Sequence, residues 1–129
     1  HPRRLFMDGL AVYEFTLRRV PSLVRDVLAL QGWNSDDVDS FLLHQANGLM
    51  LETLRRKLHI PTERWPVNIS RYGNTSMVTI PLLLADDLSA TLRASAQKLV
   101  LAGFGVGFSW AAMAGRVGPL QSARVIHVD

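Results

Sequence analysis

The apolar run Lys98–Gly103 narrows the possible folds more than any other stretch of this chain. Beyond its first residue it carries no polar side chain, so as a strand it must be covered on both faces. That is the habit of a sheet packed between helices. Gly105 and Gly107 turn the chain after it, and Phe108–Val117 reads as the returning strand. Helical segments therefore have to lie upstream, in numbers sufficient to cover two faces.

They are legible there. From Leu10 to Gln31 the residues Tyr13, Leu17, Val20, Val24, Val27 and Leu28 recur at three- and four-residue steps, an amphipathic helix. Pro21 falls inside it and predicts a kink or a restart, and Gly32 supplies a stop. Asn34–Asp39 has turn composition, and Ser40–Leu43 reads as a buried strand. A second helix is expected from Asn47 to Leu58, with Met50, Leu51, Leu54 and Leu58 on one face. Pro61 and Thr62–Trp65 then make a turn, Val67–Ile69 is a short strand candidate, and a third helix should run from Ser76 to Leu88. Its stripe would be Met77, Ile80, Leu84 and Leu88, with Pro81 tolerable near the first turn. The order α-β-α-β-α-β-β predicts an α/β fold with a sheet covered by helices.

A chain of 129 residues with 48% hydrophobic content is enough for one domain with a real core. No apolar stretch approaches the roughly 18 residues of a membrane span, and His1-Pro2-Arg3-Arg4 opens no secretory pattern. There is no cysteine, hence no thiolate metal site and no cysteine nucleophile within these residues. His1 is not an initiator, so the chain is expected to be part of a longer polypeptide. The net charge is +3, yet only Arg55-Arg56-Lys57 forms a basic run, without interleaved aromatics, which argues against nucleic acid. An acidic protein or a phosphate-bearing ligand suits it better. His59 and His127 stand at no metal-ligand spacing from His44, so surface positions and no metal are expected.

Chemistry is concentrated in two short motifs. HQAN (His44–Asn47) follows the apolar Phe41-Leu42-Leu43 at a strand end, and RYGNTS (Arg71–Ser76) precedes the third helix. Ligands of open α/β sheets bind outside the carboxyl ends of the strands, so His44 and Asn74 can converge on one small molecule. Thr75 and Ser76 offer capping chemistry of their own, which is expected to leave the Asn74 amide free. Together with GFGVGFSW (Gly103–Trp110), the motifs make residues 7–117 resemble the C-terminal half of a β-ketoacyl-acyl-carrier-protein synthase III. Such a half belongs to a thiolase-type αβαβα layered fold. It would carry one more strand before the first helix, which residues 1–9 do not supply, and residues 118–129 lie beyond the pattern as a tail with no assigned role.

The resemblance implies specific roles. His44 and Asn74 would donate to the thioester carbonyl of a malonyl group as loss of carbon dioxide turns it into an enolate. Gln45, Asn47 and Phe104 would support the site, Asn47 as the cap of its helix. The backbone at Gly105, Val106 and Gly107 would bind the acyl-thioester oxygen. Val106 stands where the family usually has glycine, and a β-branched residue resists positive φ, which puts the turn's geometry in question. Arg56 and Lys57 match basic positions that receive an acyl carrier protein, while Leu49 replaces a residue that is often basic. The further implications are an N-terminal half bearing the cysteine nucleophile, acyl-coenzyme A thioesters as acyl donors, a homodimer, no metal or redox cofactor, no nucleic acid or membrane, and a cytoplasmic enzyme of fatty acid or polyketide synthesis. Two other readings stay open: an acyltransferase of the same fold acting on an alcohol or amine, and a non-catalytic half-domain partner.

Overall fold

The computed structural model describes residues 7–126 and 128. Helix α1 (Gly9–Gln31) starts at Asp8, whose carboxylate accepts the Ala11 N–H at 3.0 Å, and stops at Gly32 in the left-handed region, φ 67°. It buries Phe15, Val20, Val24, Val27 and Leu28. Of the two outcomes expected at Pro21, the restart does not occur: the helix runs through it. Proline lacks the N–H that would bond the Leu17 carbonyl, and Lys57 Nζ takes that carbonyl instead, at 2.8 Å. The proline's usual cost is thereby reduced, since the orphaned acceptor is satisfied from another helix.

A 3-10 turn (Ser35–Asp37) leads into strand β1 (Ser40–Leu43), and α2 follows as Gly48–Lys57. Strands β2 (Gln97–Gly105) and β3 (Ser109–Val117) complete a three-stranded sheet in the order β1-β2-β3. β1 runs parallel to β2, Ser40 opposite Leu99 and Leu43 opposite Ala102. β3 returns antiparallel, from Gly105 opposite Ser109 to Gln97 opposite Val117.

Side chains alternate between the two faces of a strand, and the core divides accordingly. Phe41, Leu43, Val100, Ala102 and Phe104 pack with Val20 and Val24 of α1 and Met50, Leu51 and Leu54 of α2. Leu42 and Leu99 turn the other way, onto Leu83, Leu88 and Leu92. Helices thus cover both faces of β1 and β2, as the apolar run required, and the chain forms an α-β-α sandwich. Beyond Val117, Leu120 packs on the second cluster and its N–H donates to the Leu92 carbonyl at 2.7 Å.

Two expectations fail between α2 and β2. Val67–Ile69 is not a strand: the Asn68 N–H is taken by the Gln45 side chain at 3.1 Å, and the Asn68 carbonyl opens the short helix α3 (Ile69–Tyr72). With its backbone groups so engaged, the segment cannot join a ladder. Nor is Ser76–Leu88 one regular helix. It is a 3-10 turn (Ser76–Val78), helix α4 (Thr79–Leu82) and a π turn (Leu83–Asp87), followed by α5 (Ser89–Ala94). Pro81 cannot bond back to Met77, so regular helix begins late, and Met77 is left 87% exposed. The wider π turn, closed by Leu88 N–H to the Leu83 carbonyl at 3.0 Å, puts residues five apart on one side. Leu83 and Leu88 face the sheet together for that reason. A strand before α1 is absent among the described residues; residues 1–6, where part of that expectation falls, lie outside them.

Candidate active site

β1 and β2 are parallel, so their carboxyl ends open on the same edge of the sheet. A cavity of about 900 Å³ lies there. His44, Asn47, Asn74, Phe104, Gly105 and Val106 all line it. Two motifs that lie far apart in sequence are thus brought to one space.

His44 directly follows β1 and its N–H extends the ladder to the Ala102 carbonyl at 2.9 Å. Its ring stands edge-on to Phe104, centroids 5.5 Å apart, and its Nδ1 lies 2.8 Å from Thr79 Oγ1. With Nδ1 so occupied, Nε2 is the nitrogen left to meet a ligand. Desolvation by burial holds the His44 pKa below its ordinary 6.5, although the Ser76 backbone pulls the other way. The imidazole is therefore neutral at pH 7. Because its folded pKa lies below the unfolded value, the folded chain binds fewer protons than the unfolded one, and this stability is lost as pH falls below 6.5. An NMR titration should find His44 half-protonated below pH 6.5; a midpoint at or above it would contradict the burial effect.

Asn74 does not follow a strand, as expected, but the end of α3, beyond Gly73 at φ 70°. Its amide is not spared from capping either. Asn74 Oδ1 accepts the Ser76 N–H at 3.0 Å, while Thr75 Oγ1 is buried without a partner. That contact settles which end of the amide is which, because a backbone N–H can meet only the oxygen. The NH₂ end is left as the donor, 3.4 Å from the Ala46 carbonyl and with a second hydrogen to spare. Ser76 itself holds φ at 56°, an uncommon conformation beside a site.

The supporting residues are also placed. Asn47 Oδ1 accepts the Met50 N–H at 2.8 Å and caps α2. Gln45 is buried beneath the cavity rather than lining it, its Nε2 donating to the Leu43 carbonyl at 2.9 Å. In the glycine-rich turn the left-handed conformation falls on Gly107, φ 135°, while Val106 avoids positive φ. The β-branched replacement therefore does not strain the backbone. A side chain on Gly107 would meet Ser109 Oγ at 2.7 Å.

Sequence reasoning missed the scaffold beneath Asn74. Gln45 holds the Asn68 N–H, Asn68 Nδ2 donates to Asp87 at 2.8 Å, and Arg71 reaches Asp87 at 2.7 Å and Asp86 at 2.5 Å. Tyr72 Oη donates to Asp86 at 2.7 Å. This chain of contacts fixes α3, and so the loop that carries Asn74, against the strand that carries His44. Thr79 was missed as well. The only sequence signals were the basic and aromatic residues of RYGNTS and an acidic pair downstream.

The proposed carrier face lies away from the cavity. Leu49 is 73% exposed and Arg56 sits two turns later on the same side of α2. Arg56 Nε is 2.6 Å from Glu52, whose carboxyl is lowered to about 2 by its bonds to Arg55 and Arg56. Lys57 is tied to Leu17. His59 is exposed, and His127 lies outside the described residues. Among the described residues no group of His, Cys, Asp or Glu is placed to hold a metal ion, and no helix is long and apolar enough to cross a membrane.

Residues 28–117, well over half of the chain, match the family described as 3-oxoacyl-[acyl-carrier-protein (ACP)] synthase III C terminal. The chain belongs to the synthase III family. The polar groups His44, Asn47, Asn74, Ser76 and Thr79 of the cavity all fall inside the matched region of this synthase III chain. It is 39% identical over 114 residues to a β-ketoacyl-[acyl-carrier-protein] synthase III of Gloeobacter violaceus, covering 88% of this chain and 35% of that protein. The crystal structure of a 3-oxoacyl-(acyl-carrier protein) synthase from Burkholderia xenovorans superimposes with a TM-score of 0.92 at 48% identity, over 96% of this chain and 36% of that one. A synthase III from Thermus thermophilus gives 0.84 at 35% identity, over 89% and 36%. The layered α/β architecture is thus that of the family, and the chain spans about a third of the length of these relatives.

Proposed function

We propose that this chain forms the enolate-stabilising side of an enzyme that condenses an acyl thioester with malonyl-acyl carrier protein. The observation that carries the reading is that neutral His44 and the oriented NH₂ end of Asn74 border one cavity. When the bond between the malonyl carboxylate and its α-carbon breaks, carbon dioxide departs and the electron pair moves onto the thioester oxygen. Donors held at the cavity wall stabilise that oxygen as charge develops on it. The enolate carbon then attacks the acyl thioester held on a cysteine outside these 129 residues, and the cysteine thiolate leaves. The turn at Gly105–Gly107 supplies backbone N–H groups near the acyl carbonyl. Release of carbon dioxide from a malonyl thioester, coupled to a new carbon–carbon bond, tests this reading in the assembled enzyme. Acyl transfer to an alcohol or amine without that release would replace it.

Arg56 and Lys57 would steer the acidic carrier onto α2. Reversing both charges to Glu is expected to lower the association rate at low salt and far less at high salt. Leu49→Arg, which adds a cation to the same side, should tighten the complex. Stopped-flow association at two ionic strengths decides: rates indifferent to salt in both variants would move the carrier elsewhere.

A further inference from the structure

Thr79 is 2% exposed, lines the cavity and takes no part in the reading above. Its hydroxyl stands between two partners, the Ser76 carbonyl at 3.0 Å and His44 Nδ1 at 2.8 Å. A hydroxyl has one hydrogen to give and lone pairs to accept with, while a carbonyl can only accept. If the Thr79 hydrogen satisfies Ser76, the bond to the imidazole must run from His44 Nδ1–H to Thr79 Oγ1. Both short contacts are then true hydrogen bonds. If the hydroxyl turns toward Nδ1 instead, the Ser76 carbonyl loses this partner.

We infer that Thr79 is a positioning residue that fixes the resting tautomer of His44, with the proton on Nδ1 and Nε2 bare. Which ring nitrogen carries the proton is set by the bond the other one makes, and here the Ser76–Thr79 pair sets it. The inference rests on the enolate reading for its consequence. A bare Nε2 cannot donate to a carbonyl, so the donor form arises only when the Thr79 hydroxyl swings from Ser76 to Nδ1. Nε2 takes a proton from water in the open cavity and Nδ1 gives one up to solvent, so that the hydroxyl meets a bare Nδ1 and the net charge is unchanged. The exchange costs one neutral hydrogen bond and is repaid when a carbonyl oxygen meets Nε2–H.

Nitrogen-15 NMR of the full enzyme with labelled histidine separates the tautomers, the His44 signals being assigned by their loss in His44→Ala. The ligand-free protein should carry the proton on Nδ1. Thr79→Val should lower the ratio of Nδ1–H to Nε2–H about two- to tenfold, the worth of one hydrogen bond, and Thr79→Ser should restore it. A resting enzyme with the proton already on Nε2 overturns the inference whether or not the valine variant folds. So does a valine variant with the wild-type ratio. Adding a malonyl-thioester analogue that cannot lose carbon dioxide should shift the wild-type proton to Nε2. Failure of that last shift alone would overturn the enolate reading and leave the assignment to Thr79 standing.

Discussion

Replacing His44 by alanine, in an enzyme that joins this chain to the rest of its fold, is expected to slow malonyl decarboxylation about 10²–10³-fold, the usual loss for one oxyanion donor. Asn74→Ala should cost a similar factor by the same reasoning. The reason is differential: the malonyl thioester oxygen is nearly neutral in the ground state and becomes an oxyanion as carbon dioxide leaves. A donor aimed at it therefore acts on the barrier more than on binding. Neutral His44 is suited to this, and the amide of Asn74 is held by the Ser76 N–H with one hydrogen of its NH₂ end to spare. Acylation of the cysteine should suffer far less, because in the proposed reaction the backbone of the Gly105–Gly107 turn would serve that carbonyl. The two half-reactions can be followed separately, one by released carbon dioxide and one by mass of the acylated protein. Equal losses in both would sink the division of labour.

The 129-residue chain by itself is expected to show no acyl transfer at all. It contains no cysteine on which a covalent acyl intermediate could form, and His44 and Asn74 offer donors but no nucleophile. The loss is larger than that from any single donor, because removal of the nucleophile leaves the two-step route without its first step. Its surface is also incomplete for an isolated domain. Trp110, Met113, Val106 and Met77 are 43%, 60%, 57% and 87% exposed on and near the last strand and the cavity. Large apolar side chains left this exposed are a feature of interaction surfaces and an aggregation liability. Purified alone, the chain should self-associate and fail to take up label from an acyl thioester. A monodisperse monomer that becomes acylated would refute this.

What the sequence disclosed, and what it hid, follows from the range of the forces involved. β1, α2 and the pair β2 and β3 were readable because short apolar runs, capping by Asn47 and the glycine turn are local signals. The apolar character of Leu99–Gly103 correctly implied helices on both faces. Continuity of α1 through Pro21 was not readable, since Lys57, 40 residues away, satisfies the carbonyl that the proline orphans. The π turn escaped because the expected Ile80, Leu84 and Leu88 do pack on that cluster, and only the wider turn adds Leu83 beside them. Asn68 looked like part of a strand because nothing local reveals that Gln45 and Asp87 claim it. At the site, the motifs pointed to His44 and Asn74, yet the contacts that orient them, Ser76 for one and Thr79 for the other, came only with the fold.

The most direct measurement is a crystal structure of the assembled enzyme with a malonyl-thioester analogue that cannot decarboxylate. The expected result is a thioester oxygen in the cavity at hydrogen-bond distance, about 2.7–3.2 Å, from both His44 Nε2 and Asn74 Nδ2. An analogue bound there with its carbonyl turned away from both groups, or held by one of them alone, would contradict the proposal that the two donors share one oxyanion.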